Sequence, residues 1–479
     1  MLVDVPRKKY ASLSYFLRHI EEHYCSREFD TIIFGYHLVY EFTQLFRDLR
    51  DKDLPAFNVY LVSPLTGKSW WINVWNDKRY MATFYRLTRP PTQKELDTNG
   101  RYHPRSTVRI TLLDASAFYH GGLDAVGEML GLGAKEHKPQ EFSRKFRNLP
   151  SFVKYAKQDA YLTRLIGEKI VADHERYDIR QCISAPMYAA KVFRRKFLND
   201  EIPLAKPDIE QAGLYSYHGG KNGYYRNGPK HLPNVYAYDI TSAYPEAMRA
   251  LPNPVVSEFV HTSVYVPRVH ALYCISGTYR RCKYRAFLSH AQGWQVDGVI
   301  DSLWITSYEL DAALEHDEIA LTNCHGYIMD GPPGGPLADY VDEFFDLKSK
   351  SVGAMRELAK LLLNSLYGKF FQKVPLGSMK DEIEIVQTGD KPIRFDQHET
   401  WAFERRQTDP DQEYDYQAGG LYHPAIASLI TGFVRAKIHR LEHKYDAIMT
   451  STDGFFATRK PDPSDIGTNL GKLTVGFGD

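Results

Sequence analysis

The feature that most constrains this chain of 479 residues is a pair of aspartates, each set where an apolar strand stops, in segments far apart in the sequence. Val235-Tyr-Ala-Tyr-Asp239-Ile-Thr-Ser242-Ala-Tyr244-Pro245 reads as an aromatic strand that ends on an acid and turns at once into small and polar residues. Asp446-Ala-Ile-Met-Thr-Ser451-Thr452-Asp453-Gly454-Phe-Phe reads as strand, turn and strand, with Asp453 at the turn. A carboxylate at a strand end can hold a metal, and two facing acids could share a pair of divalent ions. Phosphoryl transfer needs that arrangement, because two ions about 3.5–4 Å apart stabilise both the attacking and the leaving oxygen. Either aspartate alone is as well explained as an ordinary turn residue. Their joint context favours a site.

A third segment is Arg356-Glu-Leu-Ala-Lys360-Leu-Leu-Leu-Asn364-Ser365-Leu-Tyr367-Gly368. At about 100° per residue, Arg356, Lys360, Asn364 and Tyr367 share a narrow face, and Leu358, Leu361, Leu362 and Leu366 lie opposite. Polar helix faces bearing lysine and arginine are usually just solvated. Here the face ends in Asn-Ser-x-Tyr-Gly, which is not a generic solvated pattern.

The length implies roughly two to four hydrophobic cores, a multidomain enzyme-sized chain. The net charge of +1 gives no global mark of a nucleic-acid binder, so any DNA path must be locally basic. Five scattered cysteines, with no C-x-x-C pair and no clustered histidine to complete a zinc site, read as reduced thiols. The start lacks a secretory core and no stretch approaches a membrane span, so a cytoplasmic protein without membrane partners is expected. From Asp30 to about Asp178, strands such as Val108-Arg-Ile-Thr-Leu-Leu alternate with helices such as Val153 to Ile170, an α/β pattern. The run Tyr217-His-Gly219-Gly220-Lys-Asn-Gly suggests a domain joint whose glycines permit positive φ and close backbone approach. Beyond it, 255–336 reads as an inserted module with a helix near Ser307 to Glu315, and 337–371 as mostly helix. Asp381 to Phe395 reads as a hairpin, Pro424 to Tyr445 as a helix and Ala447-Ile-Met-Thr as a buried strand. The fold class expected is a mixture of α/β and α+β domains.

These residues resemble family B DNA polymerases, specifically the protein-primed branch of phages, linear plasmids and some eukaryotic viruses. Asp239-x-x-Ser242-x-Tyr244-Pro245 is similar to motif A, Lys360-x-x-x-Asn364-Ser365-x-Tyr367-Gly368 to motif B, and Thr452-Asp453 to the core of motif C, in the family's order. Tyr217-x-Gly219-Gly220 is similar to the motif that contacts template strand between the two domains. The resemblance implies an RNase H-like 3′–5′ exonuclease-type domain over 1–185 and a right-hand polymerase domain over 186–479. The latter would comprise palm at 205–254 and 421–479, a terminal-protein-type insertion at about 255–336, fingers at about 337–370 and a processivity-type insertion at about 371–420. It implies that Asp239 and Asp453, with the Ile240 backbone carbonyl, bind two Mg2+ ions, for which Mn2+ can substitute. Lys360, with Lys348 and Arg356, would contact the phosphates of the incoming deoxynucleotide. Tyr244 would be the steric gate against a 2′-hydroxyl, with Asn364 and Tyr367 bordering the nascent base pair. Tyr217, Gly219, Gly220, Ser242 and Gly368 would lie along the DNA. A buried core aromatic is the plainer explanation for either tyrosine. Primer, template, deoxynucleoside triphosphates and a terminal protein primer are the implied partners.

The chain departs from the family pattern in three places. Motif C has Ser451 where the family has a first aspartate, so weaker metal binding is expected. In the amino-terminal domain Tyr155-x-x-x-Asp159 fits the third exonuclease motif, but His37-Leu-Val-Tyr-Glu41 replaces the second motif's asparagine and aspartate. The first motif would fall before Met1, so a proofreading-deficient remnant or a chain missing its start is expected. After motif C the sequence stops short of a thumb, as a truncated product, an incomplete sequence or a split enzyme completed by a second polypeptide would. The alternative to an active polymerase is a weak or inactive fragment that binds DNA or terminal protein. A stand-alone nuclease fits less well.

Overall fold

A computed structural model describes residues 13–25, 31–39, 45, 56–62, 68–75, 81–89, 92, 106–119, 121–133, 150–180, 182–226, 234–280, 282–288, 298–375, 393–396, 400–402, 404–405, 416–418 and 420–478. They fall into two compact units. The first comprises 1–188, 352–361 and 373–420, the second 189–351, 362–372 and 421–479.

The first unit is built on a five-stranded sheet in the order Thr31–Gly35, Ser106–Asp114, Met81–Leu87, Ser69–Trp75, Ala56–Val62. The first pair runs parallel and the others antiparallel. Trp70, Ile72 and Val74 alternate along one strand, as the period of two demands, and join Phe84, Ile110 and the Leu17 and Ile20 side chains of the Leu13–His23 helix in one core. The Pro150–Arg176 helix comes close to the sheet at Gly167, where a Cβ would lie 2.4 Å from the Phe34 ring. Buried Asp114 ends its strand by accepting the backbone N–H groups of His37 (3.0 Å), Leu38 (2.9 Å) and Ser116 (2.9 Å). Of the expected 381–395 hairpin, residues 381–392 lie outside the described residues. The Ile393–Asp396 strand pairs with Thr400–Ala402.

The second unit has two antiparallel sheets. One orders Leu473–Gly478, Val235–Ile240, Gly454–Ala457, Met449–Thr452 and Lys221–Tyr224. The other orders Gly298–Thr306, Ala271–Tyr279, Ile319–Asp330 and Glu258–Thr262, and packs the Ser307–Glu315 helix. The Pro424–Tyr445 helix is buried along almost its whole length, with Ile426, Leu429, Ile430, Val434 and Ile438 in the core. His423 caps its start by accepting from Ile426 N (3.4 Å), and burial pushes this imidazole down to about 4, which keeps it a neutral acceptor. Asp446 ends the helix in the left-handed region (φ 53°).

The buried faces of this helix carry polar residues into the core, where each needs a partner, and Lys437, Arg440 and Lys444 lie on its partly exposed side. Arg435 is 1 % exposed and forks onto Glu309, Nε to Oε1 at 2.8 Å and Nη2 to Oε2 at 3.0 Å. Its Nη1 donates to the carbonyls of His218 and Gly219 and to Thr431 Oγ1. Glu309 also closes a capping box with Thr306 at the start of its own helix. A few residues on, Lys221 pairs with fully buried Glu442, which also accepts from Tyr225 Oη (2.6 Å) and Thr450 Oγ1 (2.7 Å).

The five cysteines are free, three of them buried and two half-buried. Among the described residues no helix is long and apolar enough to cross a membrane.

Removing one partner of a fully desolvated pair strands the other charge. Glu309→Ala is therefore expected to lower stability in urea denaturation by about 3–5 kcal/mol. A loss below about 1 kcal/mol, the scale of an exposed pair, would contradict that assignment.

Candidate active site

Alternation along the Val235–Ile240 strand buries Tyr238 and Ile240 and leaves Asp239 exposed on the other face. Tyr238 anchors the strand, its ring stacked on Phe455 with centroids 4.6 Å apart and its hydroxyl donating to Arg459 O at 2.6 Å. The Gly454–Ala457 strand pairs alongside with Gly454 directly opposite Asp239. The backbone then turns through Asp453, whose carbonyl accepts from Ile240 N at 3.0 Å. Two acids from distant segments therefore meet at one end of one sheet.

The hairpin that presents Asp453 has Ser451 paired with Gly454, so Thr452 and Asp453 form its loop. Thr452 has φ 55°, a left-handed conformation that a β-branched residue rarely adopts. Its N–H donates to Asn222 Oδ1 (3.2 Å), and Gly220 packs so closely that an added Cβ would sit 2.2 Å from Thr452 Cγ2. Gly220 is thus explained by close approach. Neither Gly219 nor Gly220 has positive φ, which corrects the expectation from the glycine run, and a Cβ on Gly219 would meet nothing within 4 Å. Ser451, where the family resemblance has an acid, is exposed and lies opposite Asn222 on its other side.

Around the acids the second unit gathers several expected residues. Tyr244 and Tyr367 stack face to face, centroids 4.0 Å apart and planes within 2°. Tyr217 stacks on Phe371 at 3.5 Å. Burial raises the Tyr244 hydroxyl pKa, helped by Tyr367 and by the charge of Asp453. Burial also raises the Asp453 carboxyl pKa, against its own backbone and Thr452 hydrogen bonds. Ser242, at φ 54°, precedes the Ala243–Ala250 helix without a side-chain cap, and its Oγ accepts from Lys348 Nζ at 3.0 Å. The donors expected from the sequence, two carboxylates and the Ile240 carbonyl, are all oxygen, the hardness that Mg2+ selects.

The Gly353–Ser365 helix exposes Arg356, Lys360 and Asn364 and buries Leu358, Leu362, Leu363 and Leu366. Leu361 is only half-buried, and Leu363 takes the place expected for it in the core. Lys360 lies 3.9 Å from Glu357. Arg356 and Lys360 belong to the first unit, Asn364 to the second. Tyr367 and Gly368 fall beyond the α-helix, in the 3-10 turn Tyr367–Phe371.

Of the exonuclease-type residues, Tyr155 and Asp159 sit half-buried on the Pro150–Arg176 helix and His37 has φ 53° beside Asp114. Glu41 lies outside the described residues. The expectation of no clustered histidines fails: His316, His439 and His443 come together in the second unit, the one group of three metal-ligating side chains found among the described residues. Sequence reading also missed Arg435 and Glu442. The available signal was polar residues at 431, 435, 439 and 442, three to four apart along one line of the helix.

The family model described as DNA polymerase type B, organellar and viral, matches residues 106–281 and 296–402, more than half of the chain. The DNA polymerase of Bacillus phage PZA is 26 % identical over 196 residues, 38 % of this chain and 33 % of its own length. The "Probable DNA polymerase" of Agaricus bitorquis is 27 % identical over 255 residues, 48 % of this chain and 31 % of its own length. The match thus spans about a third of the length of these curated relatives. Among solved structures, Phi29 DNA polymerase complexed with primer-template DNA aligns with TM-score 0.63 at 18 % identity, covering 96 % of this chain and 77 % of that one. The same polymerase with primer-template DNA and incoming nucleotide aligns at 0.62 and 17 %. The chain therefore shares that multidomain polymerase fold.

Because the folded-state pKa of Asp453 lies above its unfolded value, ionisation costs the fold something. That cost is absent below the ordinary aspartate range and fully present above the raised folded value. In chelator at pH 7, Asp453→Asn is expected to melt above wild type, and the difference is expected to vanish below about pH 3.5. Equal melting temperatures at both pH values would contradict a desolvated carboxylate.

Proposed function

The chain belongs to the organellar and viral type B DNA polymerases, and from that membership we propose that it is a template-directed DNA polymerase of the protein-primed kind. It adds deoxynucleotides to a 3′ or protein-linked hydroxyl during replication of a phage or mobile element. The observation that carries this reading is the strand register that sets Gly454 opposite Asp239 and bonds Asp453 O to Ile240 N.

In the proposed reaction the primer hydroxyl attacks the α-phosphate, the bond to the β-phosphate breaks and pyrophosphate leaves. Asp239, Asp453 and the Ile240 carbonyl would hold Mg2+, or Mn2+ in its place. Divalent ions there supply charge stabilisation to the attacking and leaving oxygens. Lys360, Arg356 and Lys348 neutralise the triphosphate, the arginine by a planar fork and the lysines as point charges. Tyr244, held rigid by its stack on Tyr367, forms a wall against the sugar where a 2′-hydroxyl would collide. Asn364 and Tyr367 border the base pair. Tyr217, Gly219, Gly220, Ser242 and Gly368 line the template and primer path, with Gly220 tying that path to the Asp453 turn.

The amino-terminal 1–185 is assigned as a degenerate or truncated exonuclease-type domain without proofreading activity, because His37 and Glu41 stand where its second motif has asparagine and aspartate. The four-stranded sheet and helix within 255–336 are assigned to terminal-protein docking, and 371–420 to processivity. Ser451 favours a second reading, a weak enzyme or a module that binds DNA without incorporation.

Primer extension with magnesium decides between the two readings. Asp239→Ala and Asp453→Ala are each expected to lose at least ~10³-fold in rate, the equivalent of the several kcal/mol that metal-borne charge stabilisation supplies. Ser451→Asp is expected to lower the magnesium concentration needed for half-maximal rate. Extension unchanged in both alanine variants would remove the proposed site, and binding of primer-template with no incorporation by wild type would favour the second reading. Tyr244→Ala is expected to admit ribonucleotides at least ~10-fold more readily relative to deoxynucleotides, measured as the ratio of kcat/KM values.

A further inference from the structure

The Pro424–Tyr445 helix carries a second constellation that polymerisation does not use. His439 and His443, four residues apart, project from one side of the helix. His316, from the turn that ends the Ser307–Glu315 helix, joins them, and one ligating nitrogen from each lies within 4.8 Å of the others. Glu318 reaches in from beside the Ile319–Asp330 strand, with Oε1 2.9 Å from His439 Nε2 and 3.1 Å from His443 Nε2.

The His439 contact is close but lacks the alignment of a hydrogen bond, which leaves this fully buried nitrogen without a hydrogen-bond partner. Nitrogen and oxygen atoms about 3 Å apart that do not point at one another can still point at a common centre. In a tetrahedral zinc site with bonds of about 2.0–2.2 Å, neighbouring ligand atoms lie about 3.4 Å apart.

The surroundings hold these groups in place. Glu318 Oε2 accepts from Tyr279 Oη and Ala286 N, which leaves Oε1 for the histidines. His439 Nδ1 faces Glu442 Oε2 at 3.5 Å; Nδ1 accepts from Lys221 in the metal-free ring, and zinc on Nε2 would put the ring proton on Nδ1, toward the Glu442 carboxylate. That is the arrangement in which a carboxylate orients a ligating histidine. Lys221 Nζ lies 3.3 Å from the same Nδ1 and balances the charge of Glu442. The His316 and His443 rings stack face to face, with centroids 3.7 Å apart and planes within 8°.

We propose that Glu318, His439 and His443, with His316 turning in as the fourth ligand, form a structural zinc site. Three imidazoles and one carboxylate suit Zn2+ rather than Mg2+ or Ca2+. The site clamps the last turns of the Pro424–Tyr445 helix to the four-stranded sheet, just before the chain enters the Met449–Thr452 strand that leads to Asp453. This inference does not depend on the polymerase reading. The competing arrangement is a metal-free network in which both histidines donate to Glu318.

The test is zinc content by mass spectrometry on the whole chain, produced without a polyhistidine tag, loaded with zinc and washed in excess magnesium. One zinc per chain is expected in wild type and in the Asp239→Ala/Asp453→Ala double variant. At least a tenfold loss is expected in His443→Ala and in Glu318→Gln. Cobalt-loaded wild type should show the intense visible bands of a tetrahedral ion, and His316→Ala should lose them. His316 and His443 are only half-buried, so circular dichroism should show both variants folded. Wild type that keeps no zinc overturns the proposal without reference to any variant. So does zinc that follows the aspartates instead of the histidines.

Discussion

The second unit depends on one constraint: a charge carried into the core on a mostly buried helix must be paired there. The Pro424–Tyr445 helix brings Arg435 and Glu442, and each is answered from other segments. Arg435 reaches Glu309 on the Ser307–Glu315 helix and the His218 and Gly219 carbonyls of the loop before the Lys221–Tyr224 strand. Glu442 reaches Lys221, Tyr225 and Thr450. Hydrophobic burial alone would leave the azimuth of such a helix loosely defined. Directional pairs in a low-dielectric interior define it, since an unpaired charge there is so costly.

That helix in turn positions the candidate chemistry. The loop it grips ends at Gly220, which lies against Thr452, and Lys221 begins the strand that pairs with Met449–Thr452. The strained Thr452 turn is therefore braced from one side by Asn222 and Gly220, and from the other by the pairing of Gly454 with Asp239. Strain of this kind persists where neighbouring structure over-determines the backbone. Here it aims an acid. The Tyr244 and Tyr367 stack adds a flat, stiff wall beside that acid, and the Lys348 bond to Ser242 steadies the first turn behind it.

Much of this was legible in the residues and some was not, for reasons that can be named. The Ser307–Glu315 and Pro424–Tyr445 helices lie where the apolar pattern and its boundary residues put them. The acid near the strand end at Asp239 and the turn at Asp453 were readable because each acid sits where a strand-like run meets small and polar residues. Tertiary pairing was not readable. Arg435 looks in sequence like any surface arginine, and its role depends on Glu309, which folding alone brings near. His316 is far in the chain from His439 and His443, and the three meet only because their helix packs against the turn that bears it. The glycine run was read as a conformational device, yet Gly220 is needed for space. Steric neighbours, unlike backbone preferences, leave no local trace. Leu361 is half-buried where full burial was expected, and Leu363, assigned to neither face, is buried, because period alone does not say where the partner surface lies.

The order of the five-stranded sheet in the second unit has a consequence for how the chain is made. Val235–Ile240 is an inner strand of that sheet, yet both of its neighbours, Gly454–Ala457 and Leu473–Gly478, are synthesised much later. During translation this aromatic strand waits with two bare edges, a template for mispairing with other chains. The intervening polypeptide must also be closed into a loop before either neighbour can pair, which makes nucleation through this sheet slow. Yield of native protein is therefore governed by how well the nascent strand is shielded, by chaperones or by low temperature, until the ribosome finishes.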